Sequence, residues 1–215
     1  VELILEQVTI SLGTQVLIQP FSFAIAAGET VTVMGPSGSG KSSLLAFIAG
    51  DLPSLLQGQG RVSLGGRDLG PLPPEARRVG RLFQDDLLFP HLTVGENLLF
   101  GMARGNSEER DARMRDALCS AELAGFEARA PHTLSGGQRT RVALFRALLA
   151  SPHAMLLDEP FARLDADLRN SMRSFVFGHL KERRIPSLLV THDLADAPAG
   201  GRVFTIGSGG KVAHD

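Results

Sequence analysis

The stretch Gly35-Pro36-Ser37-Gly38-Ser39-Gly40-Lys41-Ser42-Ser43 constrains this chain more than any other feature. It follows the continuous apolar run TVTVM and opens an apolar-periodic segment, Ser42 to Ala49, that Gly50 stops. A glycine-rich turn between a strand and a helix is the setting of a phosphate-binding P-loop. Its glycines let successive backbone N–H groups turn inward around phosphate oxygens, and the helix N-terminus adds partial positive charge. In that pattern Lys41 reaches the β- and γ-phosphates and the Ser42 hydroxyl ligates Mg2+. A solvated Gly/Ser-rich turn would share the composition but would not require the strand before it and the helix after it. A nucleoside triphosphate site is expected.

The second half of such a site is an acidic residue ending another buried strand. AMLLDEP supplies it, with Asp158 closing an apolar run and Glu159 next. Asp158 would hold Mg2+ through water, and Glu159 is placed to polarise a water attacking the γ-phosphate. Strand carboxyl ends are where open α/β sheets bind ligands. SLLVT is a second short, continuously apolar run, as parallel strands buried on both faces require. Strand-like alternation fills ELILEQVTISL and FSFAI, and RVSL and VGRLF read as further strands. From Thr93 the pattern turns helical: Thr93 and Glu96 form a possible capping box, and Met114, Leu118 and Ala121 share a face. Leu168, Met172, Phe175, Val176 and His179 share another, where His179 reads as a helix-surface or packing residue rather than a ligand, and the tail from Arg202 reads as a terminal hairpin or paired strands.

These elements imply an α/β fold: a P-loop NTPase core with a parallel sheet, an antiparallel β layer from the first thirty residues, and a helical insert. The 215 residues suit one domain, its core formed by 1–86 and 151–215 and its helical subdomain by 87–150. A formal charge of −1 and a pI near 6.7, with no basic run, give no nucleic-acid footprint. One cysteine, Cys119, excludes an internal disulfide, suits a reducing compartment and reads as a small residue on a helix. No run is long enough to cross a bilayer and no signal peptide is visible, so a soluble chain is expected.

A small GTPase would need Asn-Lys-x-Asp, yet Asn97, Asn106 and Asn170 are followed by Leu, Ser and Ser. A small-molecule kinase would leave LSGGQ, Leu134 to Gln138, without a purpose. Ser135 and Gln138 are spaced as a capping box ahead of Val142, Phe145 and Leu149. A cap does not need Gly136 and Gly137, each costing about 1 kcal/mol relative to alanine in a helix interior. Close approach of a ligand to bare backbone N–H groups is the expected reason. With no lysine of its own, this loop suits a phosphate already held by another copy's lysine.

With those residues in place, the chain resembles the ATP-binding-cassette (ABC) ATPases over essentially its whole length. GPSGSGKS, LFQ ending at Gln84, LSGGQ, MLLDEP, ARLD and VTHD occur in the order of the family's Walker A, Q-loop, signature, Walker B, D-loop and H-loop. The resemblance implies ATP and Mg2+, with Gln84 touching the metal and the attacking water, and His192 contacting the γ-phosphate. It implies a head-to-tail dimer in which Ser135, Gly137 and their neighbours face the nucleotide held by the partner's loop, with Asp165 at the junction. Where the family stacks adenine on an aromatic residue, this chain has Leu12 and contains no Tyr or Trp, which implies weak base discrimination. Ala162-Arg163 replaces a common Ser-Ala. LLFPHLTVGENLLFG, PHTLSGGQRTRVALFRALL and VTHDLADA look most like ATPases of bacterial binding-protein-dependent importers of small solutes. That likeness implies transmembrane permease subunits docking near Gln84–Leu92, a solute-binding protein as indirect partner, and a peripheral place on the cytoplasmic side of the inner membrane. A short tail after His192 implies the short, thiamine-type subunit without a C-terminal regulatory domain. Exporter ATPases, and soluble ABC ATPases acting on nucleic acid or ribosomes, are the rivals; the latter commonly carry coiled-coil inserts or tandem cassettes.

Overall fold

The computed structural model describes residues 1–83 and 85–214. Strands β1 (Leu3–Leu12) and β2 (Gln15–Ile25) form a hairpin turned at Gly13, whose φ of 56° lies in the left-handed region. Strand β3 (Thr30–Met34) leads into the glycine-rich loop and helix α1 (Lys41–Ala49), which ends with Gly50 in the left-handed conformation, its N–H donating to the Ala46 and Phe47 carbonyls. Then come β4 (Leu56–Leu64), β5 (Arg67–Asp68), β6 (Val79–Leu82), α2 (Val94–Phe100), α3 (Ser107–Ser120), α4 (Gly136–Leu149), β7 (Ala154–Asp158), α5 (Ala166–Glu182), β8 (Ser187–Thr191), β9 (Val203–Ile206) and β10 (Val212–His214).

Two sheets result. The antiparallel one has the order β2-β1-β4-β5; the other has the order β10-β9-β3-β8-β7-β6, parallel except for the β9–β10 pair. The antiparallel layer is wider than expected, because β4 and β5 join the first thirty residues. The start of β4, LQGQG, has little apolar alternation, and pairing with the far end of β1 recruits it. Pro20 inside β2 is tolerated because β2 is an edge strand with one unpaired side.

The parallel strands divide their side chains between two cores. Met155, Leu157 and Leu189 face one, and Ala154, Leu156, Leu188 and Val190 face the other. The second core also holds Leu44, Leu45 and Ile48 of α1 and the inner face of the antiparallel sheet, so α1 is packed between the sheets. The first gathers α2 to α5 around Phe145 and Phe161, both fully buried, each side chain contributing about 2–3 kcal/mol of transfer free energy. Met114, Leu118 and Ala121 are buried there as their spacing predicts, and His179 packs edge-on against Phe145 at 5.2 Å. Helix α3 is capped by Asn106, whose side chain accepts from the Glu108 and Glu109 N–H groups, and Cys119 lies exposed on it.

Candidate nucleotide site

Strands β3, β7 and β8 end in register, with Met34 opposite Thr191 and Asp158 opposite Val190. The glycine-rich loop, Glu159 and His192 therefore emerge side by side at the carboxyl ends of three adjacent strands. Helix α1 begins behind Gly40, at φ 92°, with no side-chain cap, in contrast to the Thr93, Asn106, Ser135 and Asp165 caps of the other four helices. Its first-turn N–H groups are thus left facing the loop. A Cβ at Gly40 would sit 3.1 Å from Ile18 and 3.2 Å from Leu17, so β2 presses directly on this turn. Lys41 is buried, and its Nζ donates to the carbonyls of Gly35 at 2.8 Å and Pro36 at 2.9 Å.

Ser42 Oγ donates to Asp158 Oδ1 at 3.1 Å, bringing together the two residues expected at the metal. Burial pushes the Asp158 carboxyl above its ordinary range, with Glu159 adding to the effect and Ser42, Arg81 and Lys41 opposing it. Glu159 turns the chain at φ 44°, a conformation that costs a non-glycine residue about 1–3 kcal/mol. Its N–H donates to Val190 O at 3.0 Å, and its Oε2 lies 2.9 Å from His192 Nδ1. A carboxylate accepts, so Nδ1 carries the proton of that contact and Nε2 is left to face outward. The structure thus assembles Lys41, Ser42, Asp158, Glu159 and His192. Gln84 lies outside the described residues.

An ABC transporter family model matches residues 18–162, and that span includes the glycine-rich loop, LSGGQ and the Asp158–Glu159 pair. The chain belongs to the ABC transporter family. It is 44% identical over 205 residues to the ABC transporter ATP-binding protein YnjD of Escherichia coli K12, covering 94% of each. It is 45% identical to the Fe(3+) ions import ATP-binding protein FbpC of Pseudomonas fluorescens, covering 87% of this chain and 53% of the relative. It is 41% identical to the sulfate/thiosulfate import ATP-binding protein CysA of Mycobacterium bovis, covering 86% and 52%. The chain therefore spans about half the length of these two import relatives. Among solved structures, the dimeric ATP-binding cassette MJ0796 bound to ADP and Pi superposes with a TM-score of 0.81, at 32% identity and covering 99% of this chain and 97% of that one.

In this ABC ATPase the LSGGQ segment forms the start of α4. Ser135 Oγ accepts from the Gln138 N–H at 3.3 Å, and the Gln138 side chain accepts from the Ser135 N–H at 2.9 Å, completing the expected capping box. The two glycines separate. A Cβ at Gly137 would lie 2.8 Å from Leu168 Cδ1 and 3.2 Å from its Cγ, so α5 packs directly on this position and Leu168 would have to shift to admit a side chain. At Gly136 a Cβ would meet only ordinary contacts, 3.7 Å from Leu164, so nothing within one copy demands glycine there. Asp165 caps α5 through the Leu168 N–H at 3.0 Å. Leu12 is half-exposed at the tip of the hairpin whose β2 strand touches the Gly40 turn.

Several contributing residues carried no recognisable sequence pattern. Asn97, fully buried in α2, accepts from the Phe89 N–H at 2.9 Å and donates to the Phe89, Leu92 and Thr93 carbonyls, so it shapes the turn that carries the apolar cluster Leu87–Leu92. Asp86 accepts from Thr140 Oγ1 at 2.9 Å and pairs with Arg139, and Arg146 donates to Leu87 O at 2.8 Å, which fastens this segment to α4. Arg163 pairs with Asp85. Arg81 lies between Asp51, at 2.6 Å, and Asp158, at 3.8 Å.

Proposed function

We propose that this chain is the ATP-hydrolysing subunit of a bacterial importer of a small solute. It would act as a head-to-tail pair of identical chains beneath two permease subunits, on the cytoplasmic side of the inner membrane, with a solute-binding protein delivering the cargo. The carrying observation is the Glu159–His192 pair, set at 2.9 Å beside the Ser42–Asp158 pair at adjoining strand ends. The dimeric neighbour bound to ADP and Pi and the iron and sulfate import relatives support the wider reading. Among the described residues, no helix is long and apolar enough to cross a membrane.

The residues divide the work as follows. The Gly35–Ser43 loop and the uncapped start of α1 bind the phosphate chain through backbone N–H groups, and Lys41 exchanges its two loop carbonyls for phosphate oxygens. Ser42 and Asp158 offer hard oxygen donors 3.1 Å apart, which suits a Mg2+ that keeps water and phosphate oxygens in most of its positions. When bound, Mg2+ neutralises charge on the β- and γ-phosphates. Glu159 accepts a proton from the attacking water, and His192 holds that carboxylate in place while its outward nitrogen faces the γ-phosphate. Gln84 would complete the metal and water contacts. Ser135, Gly136, Gly137 and Gln138 present bare backbone to the partner's nucleotide, with Asp165 at the dimer junction, and Leu12 lies against the base. Residues 1–86 and 151–215 form the nucleotide-binding core and 87–150 the helical subdomain. The permease docks at Leu87–Leu92, where Leu87 and neighbouring Phe100 are exposed and the Phe89 and Phe100 rings pack 4.6 Å apart.

Replacing Glu159 by Gln tests the assignment. The variant should bind ATP with near-normal affinity, lose hydrolysis by at least about a hundredfold and accumulate as an ATP-bound dimer in size-exclusion chromatography. Turnover near that of the unmodified protein would remove Glu159 as the base.

A further inference from the structure

His192 stands between two residues held by one hydrogen-bonded network. On one side Thr191 Oγ1 donates to Asp196 Oδ2 at 2.9 Å and accepts from the Asp193 N–H at 3.1 Å. On the other, Asp193 Oδ2 accepts from Arg169 Nη1 at 2.8 Å. Arg169 also reaches Asp196, with Nη2 2.9 Å from Oδ2 and Nε 2.8 Å from Oδ1. Asp196 is 1% exposed, so its charge is tolerable only with the guanidinium fixed against it. Arg169 comes from α5, one turn after the cap residue Asp165, whose carbonyl accepts the Arg169 N–H at 2.8 Å.

A buried ion pair contributes little net stability compared with apolar residues of the same volume, but it fixes geometry closely. Here both backbone neighbours of the histidine are fixed by it, and Arg169 itself makes no contact with Glu159 or the glycine-rich loop in the network described. We propose that Arg169, acting with Asp193 and Asp196, is a positioning residue for hydrolysis: it clamps the backbone on both sides of His192 so that Nδ1 stays at hydrogen-bond distance from Glu159. The same guanidinium ties the His192 turn to the start of α5, so the Asp165 end and the His192 turn move as one piece. The inference rests on the reading that His192 acts in hydrolysis.

Asp193→Asn is the selective test. Asp193 is partly exposed, and asparagine keeps an oxygen for the Ala195 N–H while losing the charge that faces Arg169. The Arg169–Asp196 pair is untouched, so the fold should persist with its melting temperature unchanged. Single-turnover hydrolysis by the full chain should fall by about tenfold, with the ATP dissociation constant moving by less than about twofold. The discriminating measurement is a double-mutant cycle with His192→Ala. If Asp193 and Arg169 act through the histidine, Asp193→Asn lowers the rate no further in that background. Arg169→Gln, if it folds, should show the same non-additivity, and Arg169→Lys should restore folding without restoring the rate, because lysine lacks the two-armed fork. An unchanged rate for Asp193→Asn, or an equal loss in both backgrounds, overturns the positioning role. A His192→Ala variant with full activity would instead remove the premise, and the proposal with it.

Discussion

Asn97→Leu should separate the scaffold of the apolar Leu87–Leu92 segment from the nucleotide site. The substitution keeps roughly the side-chain shape and removes every polar atom. Two of its partners have a second hydrogen bond: Phe89 O also accepts from Leu92 N at 3.2 Å, and Thr93 O from Asn97 N at 2.9 Å. The Phe89 N–H and the Leu92 carbonyl lose the partner that Asn97 gives them. Leaving these two part-buried backbone groups without their Asn97 partner costs up to about 2–4 kcal/mol in all. For a chain of this size that corresponds to a fall in melting temperature of roughly 5–15 °C, readable by differential scanning fluorimetry. The proposed nucleotide site is built on α1, which packs in the other core, so a fluorescent ATP analogue should bind with an unchanged dissociation constant. A fall of less than about 2 °C would show that the carbonyls and N–H find solvent, and the burial argument would fail. Loss of ATP binding at an intact melting temperature would refute the separation of turn and site.

Three further outcomes follow from the same geometry. Gly137→Ala should destabilise, because the added methyl meets Leu168, whereas Gly136→Ala should hold or raise stability by up to about 1 kcal/mol while lowering cooperative hydrolysis; urea midpoints and ATPase rates of the pair separate packing from ligand approach. With Leu12 in the proposed place against the base, only aliphatic contact stands where stacking would be worth about 0.5–1.5 kcal/mol, so GTP should compete with ATP within about tenfold, and Leu12→Tyr should widen the gap. Burial pushes the Asp86 carboxyl above its ordinary value of 3.8 although Thr140 and Arg139 oppose the shift. The native state then keeps a proton that the unfolded chain has lost, so this stabilisation is complete below 3.8 and disappears as pH rises through the native value; urea midpoints across that window should vary less steeply in Asp86→Asn.

The elements that sequence pattern exposed were those with a local cause. Gly50 stopping α1, the Thr93–Glu96 and Ser135–Gln138 boxes and the apolar β7 and β8 runs each depend on neighbours within a few residues. The start of β4 was hidden because its strand state comes from pairing with β1, some fifty residues away. Arg169 was hidden for the same reason: its partners lie 24 and 27 residues along the chain, and an arginine on a helix reads as solvated until α5 and the turn after β8 are placed together. At Gly137 the contact with Leu168 of α5, 31 residues along the chain, is likewise invisible until the two helices are placed together.

Strand register links that legible pattern to the chemistry. In β7 the alternation puts Met155 and Leu157 in one core and Ala154 and Leu156 in the other, and it leaves Asp158 at the strand end, where Ser42 reaches it. A slip of one residue would exchange the two faces, and in one direction it would draw Asp158 inward to the level now filled by Leu157. A carboxylate buried without a partner costs several kcal/mol, and the exchanged leucines would no longer match either core. The apolar run therefore selects one register by a wide margin. That same register sets Asp158 opposite Val190 and delivers Glu159, with its strained φ of 44°, to His192. Glu159 N–H bonds to Val190 O, so the bend is held by the β7–β8 ladder itself rather than by the loop. The energy that holds the carboxylate at the histidine comes from the buried leucines behind it.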